Sequence, residues 1–205
     1  MPGSIWLRRE RSGRGPTPEH GRDEITAAAI ALADAGGLDA VSMRKVAAAI
    51  GAGATSLYRY VENRDELLEL MLDAATGELD LSRPPTGDWR PDLDALARDL
   101  REVYRRHPWL VDLLDGRTPL TPHGVAYLEY ALSILAEVDA PTGAKMEAVA
   151  MLNGTVAMLV RLEVSAGQTT QEWQARQVEF LGAVVAEGRH PHLAAAFAAP
   201  SAADG

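Results

Sequence analysis

The sequence contains no cysteine among its 205 residues. This absence excludes a disulfide framework, a thiolate nucleophile and a cysteine zinc site, and it is compatible with a reducing cytoplasm. Phenylalanine is also scarce, with two residues, whereas alanine and leucine are abundant. Because strands favour aromatic and β-branched residues while alanine and leucine favour helices, the composition predicts an all-α fold.

Signatures of catalysis and cofactor binding are missing too. The five histidines form no HExxH motif or other tight ligand cluster, and no nucleophile elbow, phosphate loop or dinucleotide fingerprint is present. The glycines lie at predicted helix ends rather than after strands. We therefore predict a protein that is not an enzyme, with no catalytic residues, no metal and no cofactor.

The first 15 residues contain no apolar run long enough for a signal peptide or a membrane anchor, which predicts a cytoplasmic protein. Residues 145–164 are the most apolar stretch, but Asn153 and Gly154 interrupt it. Its uncharged part is shorter than the roughly 20 residues that a bilayer requires. We expect a helix buried on every side within a dimer, and no membrane contact.

Acidic residues are concentrated in the later part of the chain. The formal net charge is −9, yet up to Leu72 nine Arg and Lys face ten Asp and Glu, whereas beyond it eleven face nineteen. The global charge therefore says little against binding to nucleic acid. It predicts that DNA would be met by a local basic surface.

The pattern of caps and breaks divides the chain into four segments. Residues 1–16 carry Arg8, Arg9, Arg11 and Arg14 among glycine and serine, with too little apolar content to pack, and predict a flexible arm. This arm enters a DNA minor groove as homeodomain arms do, or it is a plain tail or an expression remnant. The other predicted segments are a helix-turn-helix domain at 17–63, a helical domain at 64–188 and a frayed tail at 189–205.

The N-terminal helices have clear start and stop signals. Thr17 precedes a proline at the first helical position, and the helix ends at Gly36-Gly37. Ser42 caps a short helix that Gly51 ends, and a second short helix runs over 54–61. Asn63, with Glu66 three residues later, starts a long helix that reaches about residue 79.

The later helices are bounded by proline, glycine and polar pairs. A break at 82–88 separates the fourth helix from a helix at 89–106, and His107-Pro108 marks a corner. Further predicted segments are a short apolar piece at 108–114 and helices at 122–138, 145–164 and 169–188. Thr169 and Glu172 are the expected caps of the last helix.

Two short helices joined by a glycine-bearing turn, with a third packed across them, form a helix-turn-helix. The string at 37–72, GLDAVSMRKVAAAIGAGATSLYRYVENRDELLELML, closely resembles the DNA-binding signature of the TetR family. The resemblance covers residues 17–79. More loosely, the HPWL at 107–110 and the helices after it are similar to the C-terminal domain of the tetracycline-repressor subgroup.

This resemblance implies a three-helix DNA-binding domain, joined by a long fourth helix to a domain that dimerises and binds a ligand. It places Arg44, Ala54, Thr55 and Ser56 against base edges. The chemistry supports part of that, since arginine binds guanine bidentately and the threonine methyl packs on thymine. Ala54 contributes only close approach.

The same resemblance assigns phosphate contacts to Ser42, Tyr58, Tyr60 and Arg64, whose hydroxyl and cationic groups fix register without reading sequence. Each of three residues also has an alternative role. Tyr58 would be a core residue, Ser42 primarily a helix cap, and Arg64 a solvated residue of the first helical turn. Lys45 and Arg59 are expected to touch DNA as well, although a single exposed cation is usually only solvated.

The effector is expected to be apolar or aromatic. In the tetracycline repressor a histidine binds the drug's magnesium, and the matching position here is about Leu114. A polar asparagine similarly becomes about Leu96, so tetracycline-magnesium is not the expected ligand, although Glu163 still matches an acidic position. Tyr127, Tyr130 and Asn153 are favoured contacts, because polar groups on apolar walls fix ligand orientation.

The same register implies a set of candidate pocket residues. Each of them either contacts the ligand or is an ordinary core residue. Asn153 is also a candidate for a hydrogen bond across a dimer. The candidates are Thr76, Leu96, Leu100, Trp109, Leu113, Tyr127, Tyr130, Met151, Asn153, Thr155 and Met158.

The sequence thus predicts a ligand-responsive dimeric repressor of a palindromic operator. The competing interpretations are an all-helical enzyme or small-molecule carrier that merely starts like a helix-turn-helix, and a regulator that acts through protein partners without a ligand. The absence of a catalytic constellation disfavours the enzyme, and an effector-sized cavity would distinguish the third interpretation from the first.

Overall fold

The computed structural model describes residues 4–8, 21–113, 120–166 and 171–198, and every regular element within these ranges is helical. This confirms the predicted all-α class. The helices are α1 (Arg22–Gly36), α2 (Met43–Ala49), α3 (Ala54–Leu57), α4 (Arg64–Thr76), α5 (Trp89–Arg106), α6 (Trp109–Leu113), α7 (Pro122–Ile134), α8 (Thr142–Ala166), α9 (Gln171–Ala186) and α10 (Pro191–Ala198). The cap predicted at Thr17 lies outside the described residues, as does the one at Thr169.

The turn between α2 and α3 follows from local capping. The Ser42 Oγ accepts a hydrogen bond from the Lys45 backbone N–H, which starts α2 as predicted. Gly51 has a φ of 69°, and the Ala52 N–H donates to the Ala47 carbonyl at 2.8 Å. This bond closes a Schellman motif, in which glycine takes the left-handed position at no steric cost.

Helix α4 also begins as predicted, with one difference in its capping box. The Asn63 side chain accepts from the Glu66 N–H at 2.9 Å, but the Glu66 carboxylate reaches the Glu62 N–H rather than that of Asn63. The helix ends at Thr76 instead of residue 79, because the next residues form tighter turns, with the Leu79 N–H bonded to the Thr76 carbonyl. Similarly, α3 ends at Leu57, four residues earlier than expected.

The prediction of a wholly flexible arm is wrong for residues 4–8. Ile5–Leu7 form a 3₁₀ turn, Ile5 is 1% exposed, and Trp6 packs partly buried against the core. Hydrophobic burial of these two side chains holds the segment, although the arginines and glycines around them are typical of a flexible arm. The remaining predicted arm residues, including Arg9, Arg11 and Arg14, lie outside the described residues.

The described residues up to Leu162 form one compact unit, in which α1 packs on α2 and α4, and α7 packs on α4 and α5. Its core contains large side chains with almost no exposure, among them Ile25, Leu57, Leu67, Met71 and Leu110. Helix α4 therefore contributes to the packing both of the N-terminal helices and of the later ones.

The described residues from Glu163 onward form a second unit, in which α9 contacts α10. The predicted frayed tail is wrong for Pro191–Ala198, which are helical, since the proline occupies the first helical turn and alanines follow it. One described helix, over Thr142–Ser165, is long and apolar enough to cross a membrane, and 22% of its most apolar window is buried. Within a single chain it is thus not buried on every side.

Candidate DNA interface and internal cavity

The surface of α2 and α3 carries most of the residues predicted to touch DNA. Arg44, Lys45, Thr55 and Arg59 are exposed, and Tyr58 is 52% exposed, so Tyr58 is not a core residue. On the opposite side of these helices the side chains of Val46, Ala47 and Leu57 are buried. Burial of that apolar side orients the polar side chains of both helices outward.

Four other predicted contacts also have structural roles. Ser42 caps α2, the Ser56 hydroxyl donates to the Gly53 carbonyl at 2.6 Å, and Ala54 and Tyr60 pack partly buried against the core. The Ser56 bond reinforces the first turn of α3. These residues therefore fix the shape of the candidate surface, whether or not they reach DNA themselves.

Arg64 ties the start of α4 to the chain that precedes α2. Its Nη2 donates to the Leu38 carbonyl at 2.9 Å and its Nε to the Val41 carbonyl at 3.3 Å. An arginine side chain has five N–H donors, so donors remain beyond these two bonds. Arg64 is thus exposed but positioned, and is not merely a solvated first-turn residue.

A histidine bridges the first and later helices near the other end of α4. His107 is 3% exposed, and its Nδ1 lies 2.7 Å from an Asp34 carboxylate oxygen. Its Nε2 lies 3.1 Å from a Glu78 carboxylate oxygen, and the Trp109 indole N–H donates to Asp34 at 2.7 Å. The imidazole thus places one ring nitrogen against each carboxylate. This arrangement joins α1, the turn after α4 and the corner before α6.

A second histidine contacts α4 itself. The buried Asp73 side chain accepts from the His123 backbone N–H and lies 2.8 Å from its Nδ1, which fixes the first turn of α7 on α4. Gly77 lies against the same ring: a Cβ at this position would be 3.0 Å from two His123 ring atoms. A close approach of α4 and α7 therefore depends on the glycine.

A cavity of about 210 Å³ lies next to these contacts. Four predicted pocket residues line it, namely Thr76, Leu100, Tyr127 and Asn153. The Tyr127 hydroxyl donates to the Asn153 side-chain oxygen. Burial raises the pKa of Tyr104, which also lines the cavity, to about 12, and burial likewise raises the pKa of Tyr127. Both phenols are therefore neutral, hydrogen-bonding groups at neutral pH.

Seven predicted pocket residues do not line this cavity, and their assignment is corrected as follows. Leu96 is buried in the core, and Trp109 is buried with its N–H on Asp34. Leu113 and Tyr130 pack partly buried against the core. On α8, Met151 is 73% exposed, Met158 is 57% exposed, and the Thr155 hydroxyl donates back to the Met151 carbonyl. Because α8 is apolar on all sides, its sequence does not indicate which side faces the cavity.

Sequence reasoning missed the larger part of the lining. The additional residues are Leu72, Leu79, Val103, Tyr104, Leu110, Leu120, Thr121, Gly124 and Leu128. Most occupy ordinary apolar positions, at which helical periodicity does not distinguish a cavity wall from packed core. Thr121 was visible only as the cap of α7, whose Oγ1 accepts from the Gly124 N–H.

In the parts of the chain that the structure describes, no three histidine, aspartate or glutamate side chains are grouped to hold a metal ion. Glu163, noted for its match to an acidic position of a magnesium-dependent drug site, belongs to the second unit. The cavity lining itself consists of apolar, hydroxyl and amide groups. Such a lining suits an uncharged organic molecule better than a cation.

Sequence comparison relates both parts of the chain to known families. Residues 25–71 match the family described as bacterial regulatory proteins, tetR family, and residues 81–204 match the tetracyclin repressor-like C-terminal domain. The HTH-type transcriptional repressor DrrR1 of Streptomyces coeruleorubidus is 36% identical, over 93% of this chain and 73% of the relative. An HTH-type transcriptional regulator of Saccharopolyspora erythraea is 38% identical, over 66% of this chain and 57% of its own length.

Solved structures show the same fold. Apo ActR from Streptomyces coelicolor superposes with a TM-score of 0.73 at 29% identity, covering 86% of this chain and 83% of ActR. ActR in complex with actinorhodin gives a TM-score of 0.70 at 30% identity, covering 81% of this chain and 78% of ActR. Another ActR structure, in complex with (S)-DNPA, gives 0.64 at 32% identity over 72% of each chain.

Proposed function

Because the chain belongs to the TetR family of bacterial transcriptional regulators, we propose that it is a dimeric cytoplasmic repressor, released from a palindromic operator by a small apolar or aromatic effector. The observation that carries this proposal is the position of the cavity. Leu72 and Thr76 on α4 line it, and the same helix begins at the end of the helix-turn-helix. A molecule in the cavity therefore contacts the element that supports the DNA-binding surface.

Operator recognition is assigned to the exposed side of α2 and α3. Arg44 supplies the bidentate donor for a guanine, and Thr55 and Ser56 allow α3 to approach the base edges. Ser42, Lys45, Tyr58, Arg59, Tyr60 and Arg64 supply the phosphate contacts that set orientation. This assignment is supported by the burial of Val46 and Leu57 on the opposite side of the helices. It is also supported by the exposure of Arg44, Lys45, Thr55, Tyr58, Arg59 and Arg64.

Replacing Arg44 with alanine tests the base-reading role. We expect the variant to lose discrimination at one base position, by about 1–3 kcal/mol. By contrast, Arg64→Ala should weaken binding to all sequences and reduce the salt dependence. Titration of operator, a singly mutated operator and random duplex checks both variants. Equal losses of Arg44→Ala on operator and random DNA would contradict its role in reading bases.

The effector class follows from the lining of the cavity. Apolar side chains form most of the wall, and Thr76, Tyr104, Thr121, Tyr127 and Asn153 add hydroxyl and amide groups. Binding pockets of organic ligands commonly have about 300–1,000 Å³, so a cavity of about 210 Å³ must widen to hold a drug-sized molecule. ActR, which has the same fold, has been solved with actinorhodin and with (S)-DNPA.

Widening of the cavity by a bound effector would couple effector binding to DNA binding. An effector that separates α4 from α5 and α7 would shift the end of α4 against the Asp73–His123 and Glu78–His107 contacts. A rigid helix passes such a shift to the helix-turn-helix at its other end. The two recognition helices of the dimer would then leave the roughly 34–36 Å spacing that successive major grooves demand.

Reciprocal linkage between operator and effector tests the proposal. Thermal-shift screening with apolar and aromatic compounds identifies a ligand, which is then titrated with and without saturating operator. Thermodynamic linkage requires the operator to weaken ligand binding by the same factor by which the ligand weakens operator binding, typically about 5–150-fold. Identical ligand affinity in both titrations would show that the bound compound is not an effector.

A second copy of the chain is the proposed cover for the apolar side of α8. Met151, Met158 and Leu162 are exposed on this helix, at 73%, 57% and 58%. Helix α9 of the second unit exposes Val178 and Phe180, at 63% and 64%. We expect both helices to enter a four-helix interface with a two-fold mate, since a soluble monomer rarely exposes so much apolar surface. A stable monomer in sedimentation at micromolar concentration would contradict this, and with it the use of two half-sites.

A further inference from the structure

The N-terminal turn at residues 4–8 docks on the DNA-binding domain. Ile5 is almost completely buried, Trp6 packs beside it, and the Ser4 hydroxyl accepts a hydrogen bond from the Trp6 N–H at 3.3 Å. No part of the recognised DNA-binding signature at 25–71 includes this turn. The turn is therefore an addition to the helix-turn-helix, held to it by the burial of one isoleucine and part of a tryptophan.

Arg22 connects this turn to the end of the recognition segment. Its Nη1 donates to the Ile5 carbonyl at 3.4 Å, and its Nε donates to the Tyr60 carbonyl at 3.3 Å. Tyr60 lies three residues after the last residue of α3. One guanidinium at the start of α1 thus joins the docked turn and the chain that leaves the DNA-binding surface.

Arg8 makes the second connection, to two carboxylates. Its Nη1 pairs with Glu62, and its Nη2 pairs with Glu66. The side chain of Glu66 is 11% exposed, whereas that of Glu62 is 51% exposed. The hydrogen bond to Glu66 raises the pKa of Arg8, although burial opposes this shift. Glu62 is therefore the more exposed of the two carboxylates, and it lies in the segment of chain between α3 and Arg64.

We propose that the docked turn sets operator affinity: Arg8 neutralises Glu62 and Glu66 beside the DNA-binding surface, and Ile5 with Arg22 holds the end of the recognition segment. Without Arg8 the exposed Glu62 carboxylate repels the phosphates that Tyr60 and Arg64 face. Arg8 is a positioning residue, which acts on DNA through Glu62 and needs no phosphate contact of its own. This inference rests on the DNA binding of the family, and is independent of the effector and of the cavity.

The test is a pair of substitutions in the full-length chain. Arg8→Met removes the charge and keeps the stem, and Glu62→Gln is then added to remove the uncompensated carboxylate. We expect Arg8→Met to weaken binding to operator and to random duplex by about three- to tenfold at about 50 mM salt, and clearly less at about 200 mM. Adding Glu62→Gln should restore affinity to within about twofold of the parent chain.

Two controls separate this role from a loss of folding. Arg83→Met removes an exposed arginine that pairs with Asp99, far along the chain from the helix-turn-helix, and should leave DNA affinity unchanged. Thermal unfolding of each variant is measured in parallel, because the buried Glu66 also loses its partner in Arg8→Met. The loss of stability should persist when Glu62→Gln is added, while DNA affinity recovers.

Three outcomes would overturn the proposal. The first is unchanged DNA affinity of Arg8→Met at low salt, and the second is failure of Glu62→Gln to restore affinity in a folded double variant. If Arg8→Met is unfolded at the assay temperature, Arg8→Lys and Arg8→Gln are compared instead, since they differ in charge. Tighter DNA binding by Arg8→Lys would support the proposal, and equal affinities of these two variants would be the third outcome against it.

Discussion

The two ends of α4 are fixed by different chemistry. At the first end, Asn63 and Glu66 cap backbone N–H groups, and Arg64 donates to the Val41 and Leu38 carbonyls. At the second end, Asp73 and Glu78 meet His123 and His107, which are about 50 and 29 residues away in sequence. The end at the DNA-binding surface is held by backbone hydrogen bonds together with the Arg8–Glu66 pair, and the end at the cavity by histidine–carboxylate contacts.

This difference suggests which end moves. The caps made by Asn63 and Glu66 lie within four residues of each other and do not depend on the position of another helix. The histidine–carboxylate contacts instead join separate elements, and they break when those elements separate. We therefore expect the cavity end of α4 to be the adjustable one, and three measurements test this expectation.

The largest expected effect is at His107. His107→Phe keeps much of the ring volume but leaves Asp34 and Glu78 facing a side chain without donors. Losing a hydrogen bond to a charged group costs about 1.5–3 kcal/mol, and since both carboxylates are about a third exposed, at 34% and 33%, we expect a loss of about 2 kcal/mol. Urea unfolding measures this loss. His123→Phe is the matched variant at a more exposed ring, and a larger loss there would contradict the importance assigned to His107.

A smaller effect is expected at the first end of α4. Asn63→Ala removes the side chain that accepts from the Glu66 N–H, and such caps contribute about 1 kcal/mol. Asn63→Asp keeps an acceptor and should retain most of the stability. Both are measured by urea unfolding and by operator titration. If Asn63→Ala lowers the free energy of unfolding by more than His107→Phe does, the capped end of α4 contributes more to stability than the cavity end. That result would contradict the comparison.

The smallest expected effect concerns the free energy of unfolding at alkaline pH. Burial raises the pKa of Tyr104 from 10.0 to about 12 in the folded chain. The folded state thus keeps a proton that the unfolded state releases, so this contribution is present below pH 10 and is lost as pH rises towards 12. At about pH 11 the parent should lose roughly 1 kcal/mol relative to pH 9 through this group. Tyr104→Phe should lose less over the same interval; equal pH dependence of the two chains would show that Tyr104 is not the group responsible.

The cap at the first end of α4 could be predicted from the sequence, whereas the contacts at the cavity end could not. Ser42, Gly51 and Asn63 act on neighbours within five residues, and their roles in capping or ending helices were predicted correctly. His107 and Asp34 are 73 residues apart, and no local pattern pairs them. The sequence located the corner at His107-Pro108, but not what the histidine contacts.

The same difference between local and long-range contacts applies to the two candidate sites. The DNA-contact residues of α2 and α3 were predicted from the resemblance to a family signature, which covers a short continuous stretch of the chain. The cavity depends on the rotation of α8 and on the gap between α4, α5 and α7. Asn153 was found because it is polar in an apolar helix, whereas Met151 and Met158 were misplaced because every side of α8 is apolar. The docked Ile5 was missed, since one buried isoleucine produces no periodicity.

Gly77 shows how little is needed to disturb the cavity end of α4. Its backbone is right-handed helical, with φ −65° and ψ −10°, so alanine fits the backbone. The added methyl group, however, would lie 3.0 Å from the His123 ring, which must then tilt or retreat from Asp73. The methyl group would stand between the end of α4 and the first turn of α7, beside residues that line the proposed effector cavity. Under the proposed mechanism, Gly77→Ala would therefore imitate part of the effect of a bound ligand with a single added carbon atom.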